Sequence, residues 1–311
     1  MPLRTLCVAF LLGIAPAALA ADEAPKSLTS QELAISAAPA AGSPGQKAIA
    51  DKVKWWFGRI ETGSPKDVKD ARRELSSVLR KPEVTPVFQR LFLEVATPEV
   101  EKLAGGTDAY RATNALMVIR FVKTPEAFEL VRQQCDPRKR KDVRIRAAAA
   151  NLLPAMVDGG CVPPAQMDVA AGRIGELVQA ETDWVVAAQE MTAMSRLASL
   201  AAESKMGPQA MAIRADLVEA VGSVVNRLAA DKDRSAAPAC YRGLIAVRDQ
   251  MMAMSQSERS QLATSLTPVL KKVDEIPENT SDDATGDDLE WRGARKVAGT
   301  LKSLLPASAA R

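Results

Sequence analysis

The sequence predicts an all-α protein, a right-handed α-solenoid of about four to five stacked helix pairs with terminal capping helices. Three observations predict it. Apolar residues recur at three- and four-residue steps almost throughout, no segment alternates with a period of two, and one apolar motif returns at about 37- to 38-residue intervals.

The first twenty residues read as a secretory signal peptide. Arg4 supplies the positive start, Leu6 to Ala15 the apolar run, and Ala18-Leu19-Ala20 the cleavage site, so the mature chain is expected to begin at Ala21 and to be exported, to the periplasm or beyond. Cys7 lies inside the run and away from the cleavage point, which argues against a lipid-modified cysteine. No other segment is long and apolar enough to span a bilayer, so no transmembrane segment is expected in the mature chain. Residues 21–45 are rich in Ala, Pro, Ser and Gly and read as a flexible linker.

A helical-repeat domain is expected over 46–273. Ile49, Val53, Trp56, Phe57 and Ile60 form one helical stripe that needs a partner surface. Thr97-Pro98-Glu99 and Thr124-Pro125-Glu126 each offer an N-cap hydroxyl, a first-turn proline and a carboxylate facing the positive helix end. Gly105-Gly106 and Asp158-Gly159-Gly160 read as stops. Helices follow near 66–80, 82–95, 97–104, 108–122, 125–135, 141–157, 163–180, 182–203, 207–230, 235–255 and 257–273. Residues 274–288 read as an acidic loop. Residues 289–311 read as a C-terminal capping helix and tail, with Leu289, Trp291, Val297, Leu301 and Leu304 on its apolar side.

The motif is Thr113-Asn114-x-Leu116-x-x-Ile119, then Ala150-Asn151-x-Leu153-x-x-Met156, then Ala188-Gln189-x-Met191-x-x-Met194. A helix pair of this size cannot bury its stripe alone, whereas stacked pairs share one core. Asp142-Val143-Arg144-Ile145-Arg146-Ala147-Ala148-Ala149-Ala150-Asn151-Leu152-Leu153 resembles the first helix of a HEAT-type (armadillo-like) repeat, with Asp108-Ala109-Tyr110-Arg111-Ala112 a weaker copy. Thr182-Asp183-Trp184-Val185-Val186-Ala187-Ala188 keeps the acid and the alanines but lacks the arginine. The resemblance covers about 66–273. It implies a concave or ridge surface for protein partners.

Composition excludes much chemistry. The chain has 311 residues, a net charge of +3 and no histidine. Without imidazole there is no Ser-His-Asp or Cys-His machine and no H-E-x-x-H zinc site. No phosphate-binding or nucleophile-elbow motif is present either, so the protein is expected to be no enzyme and to carry no cofactor or metal.

The densest charge cluster, Arg138, Lys139, Arg140 and Lys141 with Arg144 beyond it, is the candidate anion- or partner-binding segment. Arg132 and Arg146 extend it. No aromatic residue interleaves the cluster, so it is no base-stacking platform and no specific nucleic acid is expected. Trp55 points partly off the apolar stripe and is the candidate partner-contact aromatic. Met191, Met194 and the Met251, Met252, Met254 group read as core filler in preference to copper ligands. Asp287 and Asp288 read as favourable charge opening the last helix, since the run from Asp282 does not keep a calcium-loop register. Cys135 and Cys161 flank a helix too long for a disulfide to bridge, so free, partly buried thiols are expected there and at Cys240. The leading expectation is a protein-binding scaffold with an unidentified protein partner. The alternative is an anion-binding module that meets an acidic polysaccharide or a membrane surface through 138–146.

Overall fold

A computed structural model describes residues 27–230, 234–277 and 286–306. The described residues form thirteen α-helices and no strand. They are α1 (Ser30–Leu33), α2 (Pro44–Thr62), α3 (Pro65–Leu79), α4 (Pro86–Gly105), α5 (Ala109–Ile119), α6 (Pro125–Gln133), α7 (Val143–Asp158), α8 (Met167–Ala180), α9 (Trp184–Glu203), α10 (Gly207–Ala230), α11 (Ala237–Met252), α12 (Gln256–Glu275) and α13 (Gly286–Leu304). A 3-10 turn, Pro164–Gln166, leads into α8. No described helix is long and apolar enough to cross a membrane.

Helix starts follow local chemistry. Ser64, Thr85, Thr124, Asp108, Asp142, Asp183 and Ser255 each accept a backbone N–H of the first turn through the side chain. Pro44, Pro65, Pro86 and Pro125 stand at the first helical positions, where no backbone donor is missed.

Helices then pack in two sets. The odd-numbered helices touch in succession, α3 on α5, α5 on α7, α7 on α9, α9 on α11 and α11 on α13. In the even-numbered set α2 packs on α4, α8 on α10 and α10 on α12, while α6 packs more closely on α7 than on α4 or α8. The recurring motif lies on α5, α7 and α9, and its apolar positions Leu116, Leu153, Met191, Ile119, Met156 and Met194 are all fully buried. The three copies therefore bury their apolar positions on helices that touch in succession. Gly243 allows the closest approach: a Cβ there would lie 2.7 Å from Met191 Sδ and 2.8 Å from a Val221 methyl, so α11 seats against α9 and α10 only because the side chain is absent.

Three expectations are corrected. Thr97 starts no helix: α4 runs through it, and its hydroxyl donates to the Leu93 carbonyl at 2.7 Å. Phe88, Phe92, Ala96, Val100 and Ala104, at steps of four, are all buried, and that continuous stripe outweighs the backbone bond lost at Pro98. The second half of the expected linker is docked. Leu28 and Leu33 are buried, the Thr85 hydroxyl donates to the Ile35 carbonyl at 2.6 Å, and Lys52 pairs with Glu32 at 2.7 Å. Leu28 and Leu33 join the core and Ile35 packs partly buried against it, so three large apolar side chains hold an otherwise small-residue segment in place. Residues 1–26, with the expected signal peptide and Cys7, lie outside the described residues.

The expected acidic loop is shortened from both sides, because α12 continues to Glu275 and α13 starts at Gly286. Asp287 and Asp288 open α13, and Asp288 also pairs with Arg234 at 2.7 Å; Asp282 and Asp283 lie outside the described residues. Trp291, Val297 and Leu301 are buried where α13 covers α11, whereas Leu289 is 60% exposed and takes no part in that contact.

Candidate functional site

Three features outside the core have the shape or charge of a binding surface: grooves along the even-numbered helices, the basic turn before α7, and a depression of about 380 Å³ between α3 and the end of α5 lined by Lys69, Arg72, Arg73, Arg80 and Arg120. The larger groove, about 640 Å³, lies between α4, α6 and α8, where α6 leaves its row open. Its floor is apolar, with Leu93, Phe128, Leu130 and Ala170, and its mouth carries Val169, 53% exposed. Glu101, Glu126, Glu129 and Arg173 supply the charge. Glu129 is held down to about 2, first by its hydrogen bond from Arg132 and further by Gln133 and Arg173. A second groove of about 630 Å³ follows between α8, α10 and α12, lined by Gln179, Asp216, Glu219, Asn226 and Val269. Burial raises the Asp216 carboxyl, and Glu219 and Asp168 add to the rise.

The basic turn is largely neutralised. Arg138 pairs with Asp136 at 2.8 Å, Arg144 with Asp142 at 2.6 Å and Arg132 with Glu129 at 2.6 Å. Arg146 is buried and makes a two-pronged bond to the fully buried Glu181 at 2.7 and 2.9 Å. Its remaining nitrogen donates to the carbonyls of Arg140 and Lys141, at 2.9 and 3.0 Å. Glu181 in turn accepts the Thr182 and Asp183 N–H groups at 2.8 Å each. Arg146 is thus a structural clamp that joins the turn before α7 to the turn before α9.

Lys139, Arg140 and Lys141 form no ion pair among the described residues. Arg140 donates to the Gln134 side chain at 2.5 Å and Lys141 to the Pro137 carbonyl at 3.1 Å, both neutral acceptors. With Arg144 they line a depression of about 420 Å³ facing Gly105, Gly106 and Thr107. The predicted cluster is therefore brought together at one place, but only three of its cations remain outside an ion pair, and Lys139 also helps to lower the Asp136 carboxyl.

Trp55 is half-buried on α2. Its ring meets Trp56 edge to face at 4.6 Å, and the Arg59 guanidinium lies over it at 5.2 Å. Both contacts occupy a residue expected to face a partner. Met191, Met194 and Met251 are buried as core filler, while Met252 is 64% exposed. Cys135, Cys161 and Cys240 are free and fully buried. Burial pushes Cys161 up to about 11, Cys240 up to about 12 and Cys135 well above its ordinary value, so none is a ready nucleophile.

Two features escaped the sequence. Tyr110, Val143, Trp184 and Val185 are 36–43% exposed, at the first or second positions of α5, α7 and α9. Their signal was available: each follows a capping aspartate by one or two residues, where the first turn of a helix projects past its neighbours. The other is Glu190, fully buried on α9, with neither carboxylate oxygen hydrogen-bonded. Burial raises its pKa well above the carboxylate range, and the nearby Glu181 adds to the rise.

No protein family model matches the chain, and no curated protein matches its sequence.

Proposed function

We propose that the protein is an exported, non-catalytic helical-repeat scaffold, a HEAT-like right-handed solenoid whose even-numbered helices receive a protein partner. The observation that carries this reading is the pair of grooves, about 640 and 630 Å³, that follow one another along α4, α6, α8, α10 and α12. An extended surface built from successive units suits a polypeptide better than a compact substrate.

The test is affinity capture from the native exported fraction with the chain from Ala21 onward and with its Val169→Glu variant. A partner recovered by the wild type and lost by the variant is expected. Failure to recover any reproducible partner, or recovery that ignores the variant, would contradict the reading.

A second reading, an anion-binding module, is favoured by Lys139, Arg140 and Lys141, three cations outside an ion pair around one depression. It predicts retention on an acidic polymer or anionic surface that weakens as salt rises. Replacement of the three by Gln removes that retention, and salt-independent retention would exclude this reading.

A further inference from the structure

The exposed apolar residues and the cations outside an ion pair occupy one edge of the molecule. The turn before α5, at Gly106 and Thr107, faces the turn before α7 across the depression lined by Lys139, Arg140, Lys141 and Arg144. The turn before α9 is tied to the same place by Arg146, which holds the Arg140 and Lys141 carbonyls with one nitrogen and Glu181 with the others. Tyr110, Val143, Trp184 and Val185 open the helices that follow these three turns. The carboxylates on this edge are committed locally. Asp108 pairs with Arg111, Asp142 with Arg144, and Asp183 accepts the N–H groups of Val185 and Val186.

We propose that this edge docks on an anionic lipid surface, with Trp184, Tyr110, Val143 and Val185 entering the interface and Lys139, Arg140 and Lys141 meeting the headgroups. The proposal rests on the anion-binding reading and names its ligand. A soluble acidic polymer would use the cations alone and leave four large apolar side chains in water. A bilayer interface satisfies both sets, because Trp and Tyr rings settle between apolar and polar layers while Lys and Arg face anionic headgroups.

The test is vesicle co-sedimentation of the chain from Ala21 onward, at low and high salt, with heparin retention in parallel. Vesicles of phosphatidylcholine alone are compared with vesicles that also contain phosphatidylglycerol. The variants are Trp184→Ser and the triple K139Q/R140Q/K141Q, with Trp184, Lys139 and Lys141 exposed and Arg140 half-buried, and folding is checked by circular dichroism. Binding is expected only to the anionic vesicles, weakened by salt. The triple variant lowers it about 100-fold, at about fivefold per cation. Trp184→Ser lowers it about tenfold and leaves heparin retention unchanged. Unchanged vesicle binding by Trp184→Ser, or equal binding to both kinds of vesicle, overturns the lipid proposal. Heparin retention that still depends on the three cations in such a case leaves the anion-binding reading standing. Neither vesicle nor heparin binding by the wild type removes both.

Discussion

Replacement of Arg146 by Met removes the clamp beneath the basic turn. In the wild type one guanidinium makes four hydrogen bonds, two to Glu181 at 2.7 and 2.9 Å and two to the Arg140 and Lys141 carbonyls at 2.9 and 3.0 Å. The side chains are 8% and 0% exposed, so water does not replace the lost partner of Glu181. The two backbone N–H groups on Glu181 remain, but they leave a full charge buried without a counter-charge. Breaking a buried pair in this way costs about 3–5 kcal/mol. At about 2–4 °C per kcal/mol for a domain of this class, melting falls by roughly 6–20 °C. The assay is urea and thermal unfolding at pH 7, followed by far-ultraviolet circular dichroism. Glu181→Leu combined with Arg146→Met removes the stranded charge and recovers part of the loss, the remainder being the Arg140 and Lys141 carbonyls and the Thr182 and Asp183 N–H groups left without these partners. A loss under about 1 kcal/mol for Arg146→Met, or a double variant as unstable as the single one, would refute the reasoning.

Glu190→Gln tests the other buried carboxyl. The folded state raises the Glu190 pKa, so its proton-linked contribution to stability is fully present below the unfolded value of about 4.5 and is lost as pH rises through the folded value. The variant therefore gains stability relative to wild type as pH rises, and a gap independent of pH would count against a buried proton. Gly243→Ala drives a Cβ to 2.7 Å from Met191 Sδ and lowers stability by about 1–3 kcal/mol in denaturant titrations; an unchanged midpoint would mean that α11 is not seated this closely. Iodoacetamide at pH 8 leaves Cys135, Cys161 and Cys240 unmodified until denaturant is added, and rapid labelling of the native protein, read by mass spectrometry, would contradict their burial.

The sequence made the helices legible where local chemistry and burial agree. Thr124-Pro125-Glu126 starts α6 because its cap and its apolar stripe begin together. Thr97-Pro98-Glu99 carries the same local chemistry and starts nothing, because Phe92, Ala96 and Val100 are buried on both sides of it, which is a tertiary fact. The recurring motif was readable because Leu116, Leu153 and Met191 are all buried on helices that touch in succession. Leu28 and Leu33 were hidden by their alanine- and proline-rich surroundings, since composition averages over the few side chains that dock. In the basic cluster the charges were visible and most of their partners were close in sequence, as with Asp136 and Asp142. Glu181 lies 35 residues from Arg146, and nothing local joins them. The edge formed by Tyr110, Val143 and Trp184 needed the helices placed side by side before equivalent first-turn positions became neighbours.

Photocrosslinking in the producing cell most directly tests whether a protein partner occupies the even-numbered helices. A photoreactive residue replaces Val169 at the mouth of the larger groove or, in a second strain, Met252 at the end of α11; both positions are exposed, so neither replacement disturbs the core. The account predicts one reproducible protein adduct from position 169 and none from position 252. No adduct from position 169, or the same adducts from both positions, would contradict it.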